Sequence, residues 1–305
     1  MKKIYGWIFL LLLSSCAETP VTRFRPMKRK AAASRKKEFF IKKKVILLDF
    51  FNESHFGGDD LSVQLTEEIR KEMVKTSNYT FDPLLRGAFQ ASRQVYQSGG
   101  GYQGLLVEKA KQKGVNLIVF GRILDSFVRQ KEDSYGLIKQ VRYLAGAKVE
   151  VRVIDVDTEL EVGKKEVETF FEDKNYQFLE KSPKREAIFR QELLRRSAKA
   201  TVKDLLKFVN AHSFKKPWSG KVAKIIGKNI YLNAGKQSGI KVGDILKVMI
   251  DGEKIFDPTT GALIGKSKGQ VKSTIEIIDY FGNDGSIGVI HSGGSVQIGD
   301  IVQLY

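Results

Sequence analysis

The sequence predicts an α/β sandwich with a mixed sheet, followed by a small all-β barrel. Three observations carry that reading. Apolar runs of strand length alternate with amphipathic helical segments through residues 45–211, in the order β-α-β-α-β-β-β-α. Beyond residue 218 the helical period stops, and short apolar runs are separated by closely spaced glycines. A chain of 305 residues holds two modest cores better than one, and its 42% hydrophobic and 10% aromatic content describes a folded protein rather than a disordered one.

The elements follow in order. KVILLDFFNES (Lys44 to Ser54) is a continuous apolar run ending in turn residues, which reads as one buried strand. In DDLSVQLTEEIRKEMVKT, Leu61, Leu65, Ile69 and Met73 recur every four residues behind acidic residues that suit a helix N-terminus. YTFDP is a short strand stopped by Pro83, and QGLLVEKAKQKG is a second helix ended by Gly114. VNLIVFGRILDSFV is another apolar strand. LIKQVRYLAGAKVEVRVIDV then alternates, with Val141, Tyr143, Ala145, Ala147, Val149, Val151 and Val153 on one face and Gln140, Arg142, Lys148, Glu150 and Arg152 on the other. That pattern is a half-exposed antiparallel strand. VETFFED adds a strand. A long helix follows from Ser182 as N-cap and Pro183 as first residue, burying Ile188, Phe189, Leu194, Ala198, Val202, Leu205, Leu206 and Val209.

VILLDFFNES…LTEEIRKEM, KGVNLIVFGRIL and KVEVRVIDVDTELEVG, in that order, resemble the periplasmic domain of the curli-secretion (CsgG-like) lipoproteins and their TolB-N-like relatives. The resemblance implies a bacterial envelope lipoprotein. It departs at Glu159, where the family places a glycine, so this turn is expected to be built differently. The C-terminal region contains an internal echo, Ile240–Leu246 against Val296–Val302, in which a Gly-Asp pair leads into an apolar strand. Gly243 and Gly299 read as turn glycines, and Asp244 and Asp300 as side chains that bond nearby backbone amides. SGIKVGDILKV, DPTTGALIGK, GQVKSTIEI and VQIGDIV together resemble the C-terminal SH3-like barrel of the flagellar assembly protein FlgT, which implies a binding and scaffolding module.

The N-terminus reads as an address. Lys2 and Lys3 precede a run of mostly apolar residues, Ile4 to Leu13, with the length of a signal-peptide core and too short to span a bilayer. Leu13-Ser14-Ser15-Cys16 resembles the bacterial lipobox, which implies that residues 1–15 are removed and that Cys16 is lipidated. Several acyl chains at about 0.8 kcal/mol per buried methylene anchor far better than one. Ala17, where an aspartate would resemble an inner-membrane retention signal, favours the periplasmic side of the outer membrane. Cys16 is the single cysteine, which excludes an internal disulfide framework and any cysteine-rich zinc site.

The net charge of +17 is unevenly placed. Residues 17–44 carry eleven basic residues against Glu18 and Glu38. The clusters Lys28-Arg29-Lys30, Arg35-Lys36-Lys37 and Lys42-Lys43-Lys44 read as a solvated tether or as contacts to anionic lipid or cell wall, at about 1 kcal/mol per charge near such a surface. The export signal argues against nucleic acid as their partner.

No catalytic constellation emerges. Gly265-Lys266-Ser267 resembles part of a P-loop, but Thr260 stands where the first glycine belongs and β-rich sequence follows. Gln97–Gly104 is glycine-rich and reads as a loop rather than an anion cradle. His55, His212 and His291 lack metal-ligand spacing, and Glu67-Glu68 falls on a helix surface. Neither metal nor cofactor is expected. The domains expected are a signal peptide (1–15), a lipidated basic linker (16–44), an α/β domain (45–211), a short linker (212–217) and a barrel (218–305). The chain is expected to be a non-enzymatic assembly or scaffold component of the flagellar basal body or an envelope export machine, partnered by membrane lipid through Cys16, by copies of itself or by assembly proteins. The alternative is a subunit of an oligomeric CsgG-like secretion channel. An envelope hydrolase is a third class, for which no catalytic residues are found.

Overall fold

A computed structural model describes residues 41–81, 100–132, 141–173 and 183–305. The first region contains β1 (Lys43–Leu47), β2 (Phe51–Asn52), α1 (Gly58–Lys75), β3 (Tyr79–Thr80), α2 (Gly100–Gln112), β4 (Leu117–Glu132), β5 (Val141–Asp155), β6 (Leu160–Asp173) and α3 (Pro183–Ser213). The sheet order is β3-β1-β4-β5-β6, with β2 added beside β4. β1 runs parallel to β3 and β4, while β4, β5 and β6 are antiparallel. The sheet is mixed, as the element order predicts.

Helix periodicity decides which face each helix covers. Leu61, Leu65, Ile69 and Met73 of α1 and Leu194, Ala198, Val202, Leu205, Leu206 and Val209 of α3 close over Val149, Val151 and Val153 of β5 and Val119 of β4. Each such side chain contributes about 1.5–3 kcal/mol by leaving water. Leu106, Val107 and Ala110 of α2 cover the opposite face at Ile46, Ile118, Phe120 and Ile154. Two expectations need correcting. Ile188 is 59% exposed, and Leu193 turns inward to Tyr143 and Ala145. The first strand is divided in two, because the amide of Phe50 donates to Thr66 Oγ1 of α1 (2.9 Å) instead of joining a ladder.

The outward face of β5 also differs from its expected exposure. Glu150 is completely buried, although it shares that face with Arg152 and Lys148. Three cations from three strands close over its carboxylate: Arg152 (2.9 Å), Lys164 (2.7 Å) and Arg122 (3.2 Å). Arg122 also binds Glu53. Alternation gives the direction of a side chain, but not whether its neighbours shield it.

The second region contains β7 (Gly220–Ile226), β8 (Asn229–Leu232), β9 (Ile245–Met249), β10 (Lys254–Phe256), β11 (Leu263–Lys266), β12 (Val271–Phe281), β13 (Gly285–Gly293) and β14 (Ile301–Leu304). Six of these close a barrel in the order β12-β13-β8-β7-β14-β9, while β10 and β11 form a separate hairpin. Closure leaves the six strands without free edges. The barrel core contains Val222, Leu232, Leu246, Val248, Ile275, Ile277 and Val302, together with Trp218 and Ile41 from outside the strands.

Glu150→Leu should destabilise the protein by about 3–5 kcal/mol, since it leaves the cations above it without their shared anion. Urea unfolding checks this. A midpoint unchanged from the parent would mean that the three cations do not depend on Glu150.

Candidate functional site

Among the described residues, polar contacts gather at the joint between the α/β domain and the barrel. Its framework is the stretch Ile41–Val45, in which successive residues address different parts of the molecule. Ile41 packs in the barrel core, and Lys42 donates its amide to the Ser238 carbonyl (2.7 Å). Lys43 Nζ donates to the carbonyls of Ser213 (2.5 Å) and Lys216 (2.9 Å), at the end of α3 and in the segment leading to the barrel. Lys44 donates its amide to Asn116 Oδ1 (3.0 Å), and its Nζ reaches the Asn233 carbonyl (3.3 Å) and Asp284 (3.8 Å). Val45 returns to the α/β core.

This corrects the reading of Lys43 and Lys44 as membrane or cell-wall contacts. Both ammonium groups point into the protein, and Lys43 is only 8% exposed. The folded body also begins ahead of residue 45, the start expected from the apolar run. Lys42 is half-buried. Cys16, Lys28, Arg29, Lys30, Arg35, Lys36 and Lys37 lie outside the described residues.

Burial pushes the Lys43 ammonium below the ordinary lysine range, with the charges of Asp155 and Asp157 pulling the other way. Its placement has a local reason, because the last carbonyls of a helix lack intrahelical donors and attract a cation. The joint continues through Asn116, which donates to the Ser219 carbonyl (2.7 Å), and through Asp284, which accepts from the amides of Gly235 (2.9 Å) and Ser238 (3.0 Å) and from Ser238 Oγ (2.5 Å).

The β5–β6 turn forms the other side of the joint. Asp155 Oδ1 accepts from the amide of Thr158 (2.8 Å), while its Oδ2 pairs with Lys216 (3.2 Å). Asp157 accepts from Ser219 Oγ. Glu159 has φ 65°, the left-handed conformation that favours glycine. The turn therefore keeps a glycine-like backbone despite the substitution, contrary to the expected rebuilding. Its carboxylate bridges Lys111 of α2 and Lys254 of β10 (2.8 Å). Burial pushes the Glu159 carboxyl up, but hydrogen bonds and charge from the two lysines outweigh it, so its pKa lies below the ordinary carboxylate value.

Glu159, Lys111, Lys254, Lys266, Asp251 and Glu108 line a cavity of about 520 Å³. Lys266 pairs with Asp251 (2.7 Å), and Ser267 Oγ accepts from the amide of Glu253 (2.9 Å), so the P-loop-like residues serve a hairpin that leads to β12. A second groove, about 400 Å³, lies between α1 and α3, where Glu192 binds Arg195 and Arg196. Arg195 and Arg196 hold the Glu192 carboxyl down at about 2, against the opposing effect of burial. Glu67 meets Arg70, while Glu68 meets Lys71 and Lys199. Gln97–Gly99 lie outside the described residues, and α2 begins at Gly100. Among the described residues no group of three or more His, Asp or Glu side chains is placed to hold a metal ion. The arrangement ties the α/β domain to the barrel and gives Asp155, Glu159 and Asp284 each a cation, while Asp157 accepts from Ser219.

The two Gly-Asp turns share one construction. Gly243 (φ 89°) and Gly299 (φ 92°) donate their amides to the carbonyls of Ile277 (2.8 Å) and Val222 (2.9 Å). Asp244 Oδ2 accepts from the Lys241 amide (2.7 Å), and Asp300 Oδ2 from the Gln297 amide (2.6 Å). The turns feed β9 and β14, which pair with each other, so the sequence echo corresponds to neighbouring barrel strands. Asp300 also pairs with Lys272 (2.6 Å).

No family model and no curated protein matches the chain. Solved structures that resemble it include a hypothetical protein from Chlamydia trachomatis, 14% identical, covering 57% of this chain and 99% of that one, with a TM-score of 0.38. A minor lipoprotein from Acinetobacter baumannii is 13% identical, covering 57% and 95%, with a TM-score of 0.30. The PelC dodecamer from Paraburkholderia phytofirmans is 11% identical, covering 52% and 86%, with a TM-score of 0.25. Likeness at these scores carries no argument about what this chain does.

Sequence reasoning missed the joint. Its signal was a lysine triplet directly abutting an apolar strand, where a tether would have a polar buffer. Lys43→Met should cost about 2 kcal/mol, because the buried Ser213 carbonyl and the partly buried Lys216 carbonyl lose their donor. The measurement is urea unfolding, with proteolysis reporting exposure of residues 214–219. Glu159 gives a pH dependence. Its folded pKa lies below the ordinary 4.5, so its contribution is complete above that pH and is lost as pH falls through the folded value. Glu159→Gln should remove that component of the acid sensitivity. Glu159→Gly should be more stable than Glu159→Gln by about 1 kcal/mol, the cost of a left-handed non-glycine residue.

Proposed function

We propose that the protein is a lipid-anchored, non-enzymatic assembly or scaffold component on the periplasmic side of a bacterial outer membrane, serving the flagellar basal body or an envelope export machine. The observation that carries the reading is Leu13-Ser14-Ser15-Cys16 at the end of a signal-like apolar run, with no other cysteine in the chain. The sequence resemblances to CsgG-like lipoproteins and to the FlgT barrel supply the candidate clients. The joint supports the reading physically. A scaffold transmits position, and the α/β domain and barrel are bonded through Lys43, Lys44, Asn116, Asp157 and Glu159 at both sides of their contact.

The channel reading needs strands that offer an apolar flank to lipid. The apolar flank of β5, Tyr143 through Val153, lies beneath α3, while its other flank carries Arg142, Lys148, Glu150 and Arg152. Lipid-facing charges of this kind cost about 2–4 kcal/mol each at the bilayer midplane. No described helix is long and apolar enough to cross a membrane, which leaves strands unaddressed.

Cys16→Ser should yield an unprocessed or soluble form on envelope fractionation, and a variant still in the outer membrane would refute lipid anchoring as the main attachment. Pull-down of the wild-type chain from detergent-solubilised envelope should recover flagellar or export components. Clear single-channel currents from purified oligomer in liposomes would favour the channel instead.

A further inference from the structure

We infer that two copies of the chain associate through β6, pairing antiparallel about a two-fold axis near Glu168. β6 ends the sheet and has one hydrogen-bonded neighbour among the described strands, β5. The opposite sheet edge, β3, is two residues long, whereas β6 has 14. An edge strand of that length, unpaired on its outer side by the described strands, offers a row of backbone donors and acceptors to another strand. Proteins commonly blunt such edges with proline, bulges or like charges. β6 contains no proline, and its one irregularity lies near its start, opposite Val153 and Ile154.

The charges select the occupant. Along LEVGKKEVETFFED, Glu161 is held by Arg152, and beyond it Lys164 and Lys165 precede Glu166, Glu168, Glu172 and Asp173. In-register parallel pairing would oppose like signs, while antiparallel pairing of two copies brings the lysine pair of each strand towards the acidic end of the other. With the axis at Glu168, the two Glu168 carboxylates face each other once and repel. Off the axis, Lys164 of one copy meets Glu172 of the other, Lys165 meets Phe171, and Val167 meets Thr169, each contact occurring twice, as an isologous interface requires. The register preserves the faces of the sheet. Lys164, Glu168 and Glu172 share the outward face with Lys148 and Glu150 of β5, so both copies keep their α3 on the same side of a continuous sheet. Lys164 also pairs with Glu150 and Glu166, and Glu172 with Arg142, which holds these side chains along the edge before the partner arrives.

The test uses the full chain carrying Cys16→Ser, in which neither acyl chains nor the native thiol can join copies. Sedimentation should show a dimer that weakens as salt rises. Adding Glu168→Cys places one thiol at the axis, and mild oxidation should give a species of twice the chain mass. Lys164→Glu in that background should reduce the cross-link several-fold by opposing it to Glu172, and adding Glu172→Lys should restore it. Thermal unfolding of each variant establishes that it is folded. A folded parent that is monomeric at every concentration would overturn the inference, as would a cross-link that is indifferent to Lys164→Glu. The outcome is independent of whether Cys16 is lipidated.

Discussion

Lys43 lies where β1, the end of α3 and the segment entering the barrel converge, and its ammonium donates to the carbonyls of Ser213 and Lys216. Those carbonyls belong to a part of the chain 170 or more residues away, so one side chain closes the longest loop of the α/β domain and sets the direction in which the barrel leaves it. An isolated buried ammonium is costly. Here the cost is met by two carbonyls that need donors and by the nearby charges of Asp155 and Asp157. The arrangement works only with β1 in register, because a shift of one residue would turn the Lys43 ammonium to the opposite face.

The same logic extends across the joint. The β5–β6 turn carries three acidic residues, each answered from elsewhere in the chain: Asp155 and Asp157 by Lys216 and Ser219 of the segment after α3, and Glu159 by Lys111 and Lys254. A glycine at position 159 would relax the backbone but could not join α2 to the barrel hairpin. The left-handed glutamate exchanges about 1–2 kcal/mol of local strain for a pair of partly shielded ion pairs. Strain at a turn is sustained when the surrounding contacts overdetermine it, and here those contacts come from both domains.

How much of this was legible in the sequence depends on the range of the interaction that decides each feature. Period-four spacing placed the buried face of α1, and alternation placed that of β5, because both are set by neighbours in the same segment. The Gly-Asp echo pointed to paired turns for the same reason. Glu150 was misjudged, since its burial comes from Arg122 and Lys164 on neighbouring strands, 28 and 14 positions away. Ile188 was placed in the buried stripe of α3 but is exposed, while Leu193, which the stripe omitted, packs on Tyr143 and Ala145. Lys43 and Lys44 were grouped with a basic run on composition alone. Their partners in α3, the linker and the barrel are too distant for any local pattern to reveal.

These placements bear on how the described part of the molecule meets other proteins. The barrel closes its own strands, α1 and α3 cover one sheet face, and much of the other face of β4–β6 is laced with ion pairs such as Lys148–Glu166 and Arg152–Glu161. Exposed ion pairs of this kind contribute little to stability, a few tenths of a kcal/mol to about 1 kcal/mol each. Their stronger effect is to make the face soluble and to penalise misaligned neighbours. Two features among the described residues are the edge of β6 and the β10–β11 hairpin, where Ile255, Phe256 and Ile264 are about half exposed. The hairpin is tied back to the α/β domain by Lys254 on Glu159, so any partner bound there would also feel the state of the joint.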